Sequence, residues 1–284
     1  MQTIAVLMTC HNRREKTLAC LDALFGSDRV IDAAFEVFLV DDGSTDGTGD
    51  AVKASYPAVH VITGDGNLYW NGGMRVAFGG AMQTGFDFYL WLNDDTVLYP
   101  DAMDALLALA NAENRIRQKP VIIVGTTQDA PGGGPTYGGL CRKSIWRPLK
   151  HSITFSQTEP TPCETMNGNC VLVPSAVATQ LGNLEPAFVH AMGDIDYGLR
   201  ATKAGFPLVV LPRYVGVCSH NPVTNTFLDG RLSRRDRWAK IMSLKGLPPK
   251  QWYVLVRRHA GLMWPLLFVW PYIRVALGVG GKRK

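Results

Sequence analysis

Two adjacent carboxylates, Asp94-Asp95, close an apolar run that covers Phe86–Leu92. Such oxygen donors suit a hard divalent cation, Mn2+ or Mg2+, which often shares its ligands with a substrate's phosphates. A second acidic pair, Asp194 and Asp196, opens an apolar-periodic stretch that reads as a helix over Asp194–Ala204. Partly desolvated there, Asp194 can act as a general base; its alternative role is to cap the helix. Asp196 can support the helix dipole or line an acceptor site. His220 follows a later apolar run, Val215–Cys218, and that position alone sets it apart from the other histidines. Two phosphate-binding signatures are absent. The first apolar run leads into Met8-Thr-Cys-His-Asn-Arg13, not GxGxxG, and the chain has no GxxxxGK[ST] loop, which weighs against dehydrogenase and ATPase readings.

The elements that must position these groups alternate in type. Short apolar runs at Ile4–Met8, Phe35–Val40, Val59–Thr63 and Phe86–Leu92 read as buried strands. Helical spacing follows at 14–25, 49–55, 72–83 and from Pro100-Asp101 to about Ala112. This rhythm predicts an α/β fold with a mostly parallel sheet flanked by helices. Ligands then bind beyond the carboxyl ends of the strands. The polar clusters fall there: Thr9-Cys-His-Asn12, Asp41-Asp42-Gly43-Ser44, Gly64-Asp-Gly-Asn67 and Asn93-Asp94-Asp95. Later strands are expected at Val121–Gly125, Val171–Val173, Leu208–Leu211 and Val215–Cys218.

With 46% hydrophobic and 19% charged residues, the 284-residue chain is excluded from the disordered class. Its six cysteines form no CxxC pair, so they read as reduced thiols of a cytoplasmic protein. The opening apolar run is too short for a secretory signal. The net charge of +5 hides an asymmetry. Residues 213–284 hold 14 Lys/Arg against 2 Asp/Glu, so residues 1–212 hold 15 against 22. A basic tail points to an anionic partner. Between Arg258 and Arg274 lie 15 residues without formal charge, with Trp264, Trp270 and Tyr272 among them. That is short of the roughly 20 residues a transmembrane helix needs. Its aromatics, with Arg234-Arg235, Arg257-Arg258 and Lys282-Arg-Lys284 around them, favour a segment lying on an anionic membrane surface. Packing onto the body or a second copy of the chain in a homodimer is the alternative. Pro265 and Pro271 argue against one straight helix. The domain boundary is placed at residue 222, with 223–284 as a basic, aromatic-rich helical extension.

In ordered combination, these motifs resemble those of the family-2 glycosyltransferases of the GT-A fold. Val6–Arg13 is similar to the opening nucleotide-binding strand and turn, with Thr9, His11, Asn12 and Arg13 on the nucleotide. Val40-Asp-Asp-Gly-Ser-Thr-Asp-Gly47 resembles the second motif, implying nucleobase and ribose contacts for Asp41 and Asp42. Asn67 and Gly73 stand in the segment that borders the donor pocket. Leu92-Asn-Asp-Asp-Thr96 occupies the DxD-type position, which implies that Asp95 holds the metal and Asp94 the ribose or metal-bound water. Asn167-Gly-Asn-Cys170 resembles the acceptor-side strand and assigns Asn167, Gly168 and Asn169 to the acceptor, with Asp196 beside them. Gly193-Asp194-Ile-Asp196-Tyr-Gly-Leu-Arg200 is similar to the family's ED-x-D-x-x-x-R start, with Asp194 as base and Gly193 in place of the first acid. His220 matches a late metal-ligand histidine.

The resemblance implies a metal-dependent inverting transfer from a nucleoside diphosphate sugar to a saccharide, or a lipid-linked one, at the cytoplasmic face of the cell membrane in surface-polysaccharide synthesis. It leans to rhamnosyl and galactofuranosyl transfer. A sugar-nucleotide nucleotidyltransferase is the enzymatic alternative, disfavoured because residues 9–14 lack a glycine-rich phosphate loop. Asn93 and Gly193 keep open a non-catalytic sugar-nucleotide-binding or membrane scaffold protein. No nucleic-acid reader motif accompanies the basic tail.

Overall fold

A computed structural model describes residues 1–26 and 33–279; Lys282-Arg-Lys284 lies outside them. The four strands expected first are present: β1 (Gln2–Cys10), β2 (Ala33–Asp41), β3 (His60–Thr63) and β4 (Phe88–Leu92). They alternate with α1 (Arg14–Phe25), α2 (Thr48–Ser55) and α3 (Tyr69–Thr84). All pair in parallel, in the spatial order β4-β1-β2-β3. Side chains of β1 alternate between the two faces of the sheet. Ile4, Val6 and Met8 join α1 and α4 (Ala102–Arg117) in one apolar layer, while Ala5 and Leu7 join α3 and α6 (Gly193–Lys203) in the other. Covering both faces is what makes Ile4–Met8 of β1 read as an unbroken apolar run.

Beyond β4 the pairing changes sense. The two-residue β5 (Val97–Leu98) precedes α4, and β6 (Ile122–Gln128) and β7 (Pro135–Tyr137) follow it. A small separate sheet holds β8 (Gly139–Arg142), β9 (His151–Ile153) and β11 (Thr165–Met166), with β10 (Thr161–Cys163) at the main sheet's edge. The strand β12 (Cys170–Pro174) lies between β4 and β6, antiparallel to both. It leads into α5 (Ser175–Leu181). The two late runs expected separately form one strand, β13 (Leu208–Val217), parallel to β6. Its register shifts between Val210 and Tyr214, around Pro212, which has no N–H to offer a ladder.

The tail forms α7 (Arg234–Met242), α8 (Pro249–His259) and α9 (Trp264–Ala276). As expected, the stretch between Arg258 and Arg274 is not one straight helix, but neither proline makes the break. Pro265 sits in its first turn, where the missing N–H costs nothing. Pro271 lies inside it and leaves the carbonyl four residues back without a donor. The Trp252 indole of α8 donates to that carbonyl, Leu267 O, at 3.3 Å. The chain turns instead at Ala260–Met263, where Gly261 has φ 56°. The tail's basicity is partly internal. Arg231 pairs with Asp229, buried Arg237 donates to Phe227 O and Val279 O, and Arg258 pairs with Glu185 and Asp196. Of the three aromatics expected at an interface, Trp264 and Tyr272 are half-buried, edge-on to Tyr253 and Trp238 respectively. Trp270 alone points outward, 55% exposed. Among the described residues no helix is long and apolar enough to cross a membrane.

Candidate active site

Parallel strands deliver their following loops to one rim. Here the ends of β1, β2 and β4 meet the residues before β12 and the start of α6 around one cleft of about 690 Å³. Ladder register explains the meeting. Cys170 of β12 pairs with Leu92 of β4, so Asn169 lies beside Asn93 and its carbonyl accepts the Asn93 N–H at 3.1 Å. Gly168, one residue earlier, donates its N–H to Asp194 Oδ2 at 3.1 Å. The acidic pair after β4 and the acid on α6 thus reach one cleft through three neighbouring backbone positions.

Asp94 and Asp95 share a cation. Arg13 Nη1 lies 3.0 Å from Asp94 Oδ1 and 2.8 Å from Asp95 Oδ2. Burial pushes the Asp94 carboxyl up to about 6 against the pull of Arg13, and the neighbouring Asp95 adds to the rise. Asp94 Oδ2 is buried with no hydrogen-bond partner among the described residues. An orphaned carboxylate oxygen beside a second carboxylate fits a divalent cation. The companion expected from the sequence is not there. His220 is exposed, off the cleft wall, with its ring against Tyr137. Cys218 stands at Asp95 instead, its Sγ 3.5 Å from Oδ1 and 3.4 Å from Asn169 Nδ2. Among the described residues no group of three or more His, Cys, Asp or Glu side chains is gathered as a metal set.

Asp194 is half-buried on the cleft wall, and burial holds its carboxyl above the ordinary range against the N–H groups of Ile195 and Gly168. It is not the cap of α6. That position belongs to Met192, in the left-handed region at φ 75° with no side-chain bond to the helix. Tyr69, at the start of α3, has φ 53°. Two bulky residues in a conformation costly for them, both on the cleft wall, are the backbone strain that functional sites concentrate.

Gly193 replaces an acid for a steric reason. A Cβ on Gly193 would overlap the carboxamide of Asn71, which is fully buried. Asn71 donates through Nδ2 to Phe188 O at 2.7 Å and Glu185 O at 3.2 Å, tying α3 to the loop before α6.

Other expected contacts lie on the wall too: Thr9, His11, Arg13, Asp42, Asn167, Gly168 and Asn169. Asp42 spends both carboxylate oxygens on the backbone, accepting from Gly66, Leu68 and Tyr69 N–H. Four residues expected on the nucleotide build the rim from behind. Asp41 accepts from Ser44 N–H at 3.1 Å, and Asn12 Oδ1 from Thr45 N–H at 2.7 Å. Asn67 is exposed and folds onto Asp65, and Gly73 packs α3 against Thr9 with no room for a Cβ. Asp196 is also displaced from its expected role. It is 0% exposed and held by Arg200, Arg258 and His259 at 2.8–2.9 Å, so it has no free oxygen edge for an acceptor. Burial opposes its charge, but His259, Arg200 and Arg258 outweigh it and hold the carboxyl below its usual value.

Sequence reasoning missed Tyr69, Trp70, His190 and Lys245, all on the wall. Trp70 donates to Asn93 Oδ1 at 2.7 Å. The Tyr-Trp pair between Asn67 and Asn71 was a readable signal, since an aromatic pair at a rim offers a stacking platform. Lys245, from the loop between α7 and α8, carried none. Burial lowers the His190 imidazole, and the Lys245 ammonium pushes it the same way.

Comparison with known proteins places this geometry. The model of the glycosyltransferase like family 2 matches residues 2–240. An N-acetylglucosaminyl-diphospho-decaprenol L-rhamnosyltransferase of Mycobacterium tuberculosis is 27% identical over 196 residues, covering 62% of this chain and 64% of that protein. The galactofuranosyltransferase GlfT2 of the same species is 28% identical over 167 residues, 51% of this chain and 25% of its own length. Both matches thus span less than two thirds of the relative. The mannosyltransferase PcManGT from Pyrobaculum calidifontis, solved with GDP-Man and Mn2+, superposes with a TM-score of 0.52 at 16% identity, over 97% of this chain and 72% of that one. That likeness is one of fold, the GT-A arrangement of sheet and helices. With the family model matched across the sheet and the cleft alike, the chain belongs to the glycosyltransferase like family 2.

Proposed function

We propose that the protein is an inverting glycosyltransferase that moves a sugar, rhamnose or galactofuranose, from a nucleoside diphosphate to a lipid-linked saccharide. The observation that carries this reading is the shared cleft: Asp94-Asp95 with Arg13, and Asp194 with Gly168, line one volume. Donor and acceptor can therefore meet. Asp194 accepts the proton of the acceptor hydroxyl, whose oxygen forms a bond to the anomeric carbon as the bond to the diphosphate oxygen breaks. A carboxyl raised by burial is suited to that proton transfer. Arg13 faces the leaving diphosphate, and Trp70 offers a flat apolar wall for a sugar or base. Asp94 and Asp95 would hold Mn2+ or Mg2+, which when bound supplies positive charge to the leaving diphosphate. The relatives' named substrates support the choice of sugars and of a lipid-diphosphate acceptor.

The outer face of α9 fits that acceptor's location. Leu266, Val269, Trp270 and Ile273 are exposed along it, with Leu262 just before the helix and Leu277 just after it. We read it as a surface that rests on the cytoplasmic side of an anionic membrane. The reading is tested by incubating the protein with a panel of nucleoside diphosphate sugars and a polyprenyl-diphosphate saccharide. Release of nucleoside diphosphate with a lengthened saccharide supports it. Pyrophosphate release would indicate a nucleotidyltransferase, and donor binding without turnover a scaffold.

A further inference from the structure

The turn between β8 and β9 presents two large apolar side chains to solvent, Ile145 at 77% and Trp146 at 75% exposure. Nothing in the cleft uses them. The turn is built, not loose: Lys143 N–H donates to Lys150 O, Lys150 N–H to Arg147 O, and Ser144 Oγ accepts from Trp146 N–H. Lys143, Arg147 and Lys150 surround the tip, all exposed and none in an ion pair among the described residues. Residues 142–150 contain no acid. The base of the turn reaches the wall of the cleft. Leu149 packs in one apolar cluster with Leu255 of α8 and with Met192, which is on the cleft wall.

We propose that this turn is a second lipid-contacting element: Ile145 and Trp146 enter the head-group region of an anionic bilayer while Lys143, Arg147 and Lys150 pair with lipid phosphates. It rests on the reading that the acceptor is lipid-linked. A tryptophan with flanking cations is suited to the bilayer interface. A protein partner fits less well, since two side chains fall far short of the roughly 800 Å² per partner that a stable interface buries. Continuity favours the lipid as well, because the same cluster holds α8, whose aromatic face seats the exposed α9 stripe. The turn would orient the cleft toward the membrane, where α9 alone would only tether it.

The test is flotation of the full chain with vesicles of phosphatidylcholine alone or mixed with phosphatidylglycerol. The parent should float with the mixed vesicles, and less so as salt rises. I145D/W146D should lose most of that binding. K143Q/R147Q/K150Q should bind the mixed vesicles about 100-fold more weakly, from about five-fold per cation at the surface. Both variants should bind donor nucleotide as the parent does, which shows that they are folded. Flotation of both variants at the parent's level overturns the proposal. So does a parent that does not float, or a dimeric parent made monomeric by I145D/W146D with flotation unchanged. The glycosyltransferase reading fails by a different result, no turnover of any nucleoside diphosphate sugar, which flotation does not report.

Discussion

Replacing Arg258 by Gln tests whether the C-terminal region is part of the catalytic body. Arg258 reaches from α8 to Asp196 with Nη1 at 2.8 and 2.9 Å, and to Glu185 with Nη2 at 2.7 Å. Asp196 is fully buried, two residues after Asp194 on the first turn of α6. Breaking a buried pair costs about 3–5 kcal/mol because the remaining charge keeps its desolvation penalty. The Arg258 side chain is 31% exposed, and Asp196 keeps Arg200 and His259. The lower end, about 3 kcal/mol, is therefore expected, or a fall in Tm of about 6–12 °C for a chain of this size. Urea unfolding at neutral pH measures it. The pH dependence has a definite sign. Asp196 is held below its ordinary value of 3.8, so its stabilisation is complete above that pH and lost as pH falls below it. The gap between parent and Arg258→Gln should close in that acid range. A loss below about 0.5 kcal/mol, the size of an ordinary surface substitution, or a gap indifferent to pH, would refute the reasoning. Deletion from about Arg257 would remove both Arg258 and His259 from Asp196, and should therefore destabilise the start of α6 more than Arg258→Gln does.

Asp95→Ala should abolish transfer without unfolding the protein, since loss of metal-borne charge on the leaving diphosphate costs several kcal/mol; full turnover in excess chelator would contradict it. Asp194→Asn should leave donor binding intact and lower kcat by about 10²–10⁴-fold, the range for a lost general base. The acid limb of the parent's pH–rate profile should lie above 3.8, because burial raises this carboxyl, and the rate should fall as pH drops through it.

The alternating half of the fold was legible because its strands are buried on both faces. The continuous apolar run at Ile4–Met8, and the one at Val37–Val40 within Phe35–Val40, admit few other readings. The polar rim followed from strand direction, and with it Asp94 and Asp95, whereas Asp194 was marked by its place at the start of a helix. Pairing between distant strands was not legible. Nothing local to Cys170–Pro174 says that it inserts antiparallel between β4 and β6, yet that register brings Asn169 beside Asn93. Side-chain partners far apart in sequence were equally hidden. Asp196 read as an acceptor contact because Arg258 and His259, more than 60 residues later, carry no mark of where they dock. In the tail, composition identified aromatic and basic bias but not which face of α9 each ring would take.

The contact between Gly193 and Asn71 makes the two positions one lock with a single key. The space holds either the carboxamide coming from α3 or a side chain coming from α6, never both. Introducing an acid at Gly193 would therefore fail in isolation and succeed only when Asn71 is first cut back to glycine or alanine. That exchange removes the two bonds by which Asn71 fastens Phe188 and Glu185. Glu185 is also a partner of Arg258. A side chain introduced beside Asp194 would thus act through one loop on the far end of the chain.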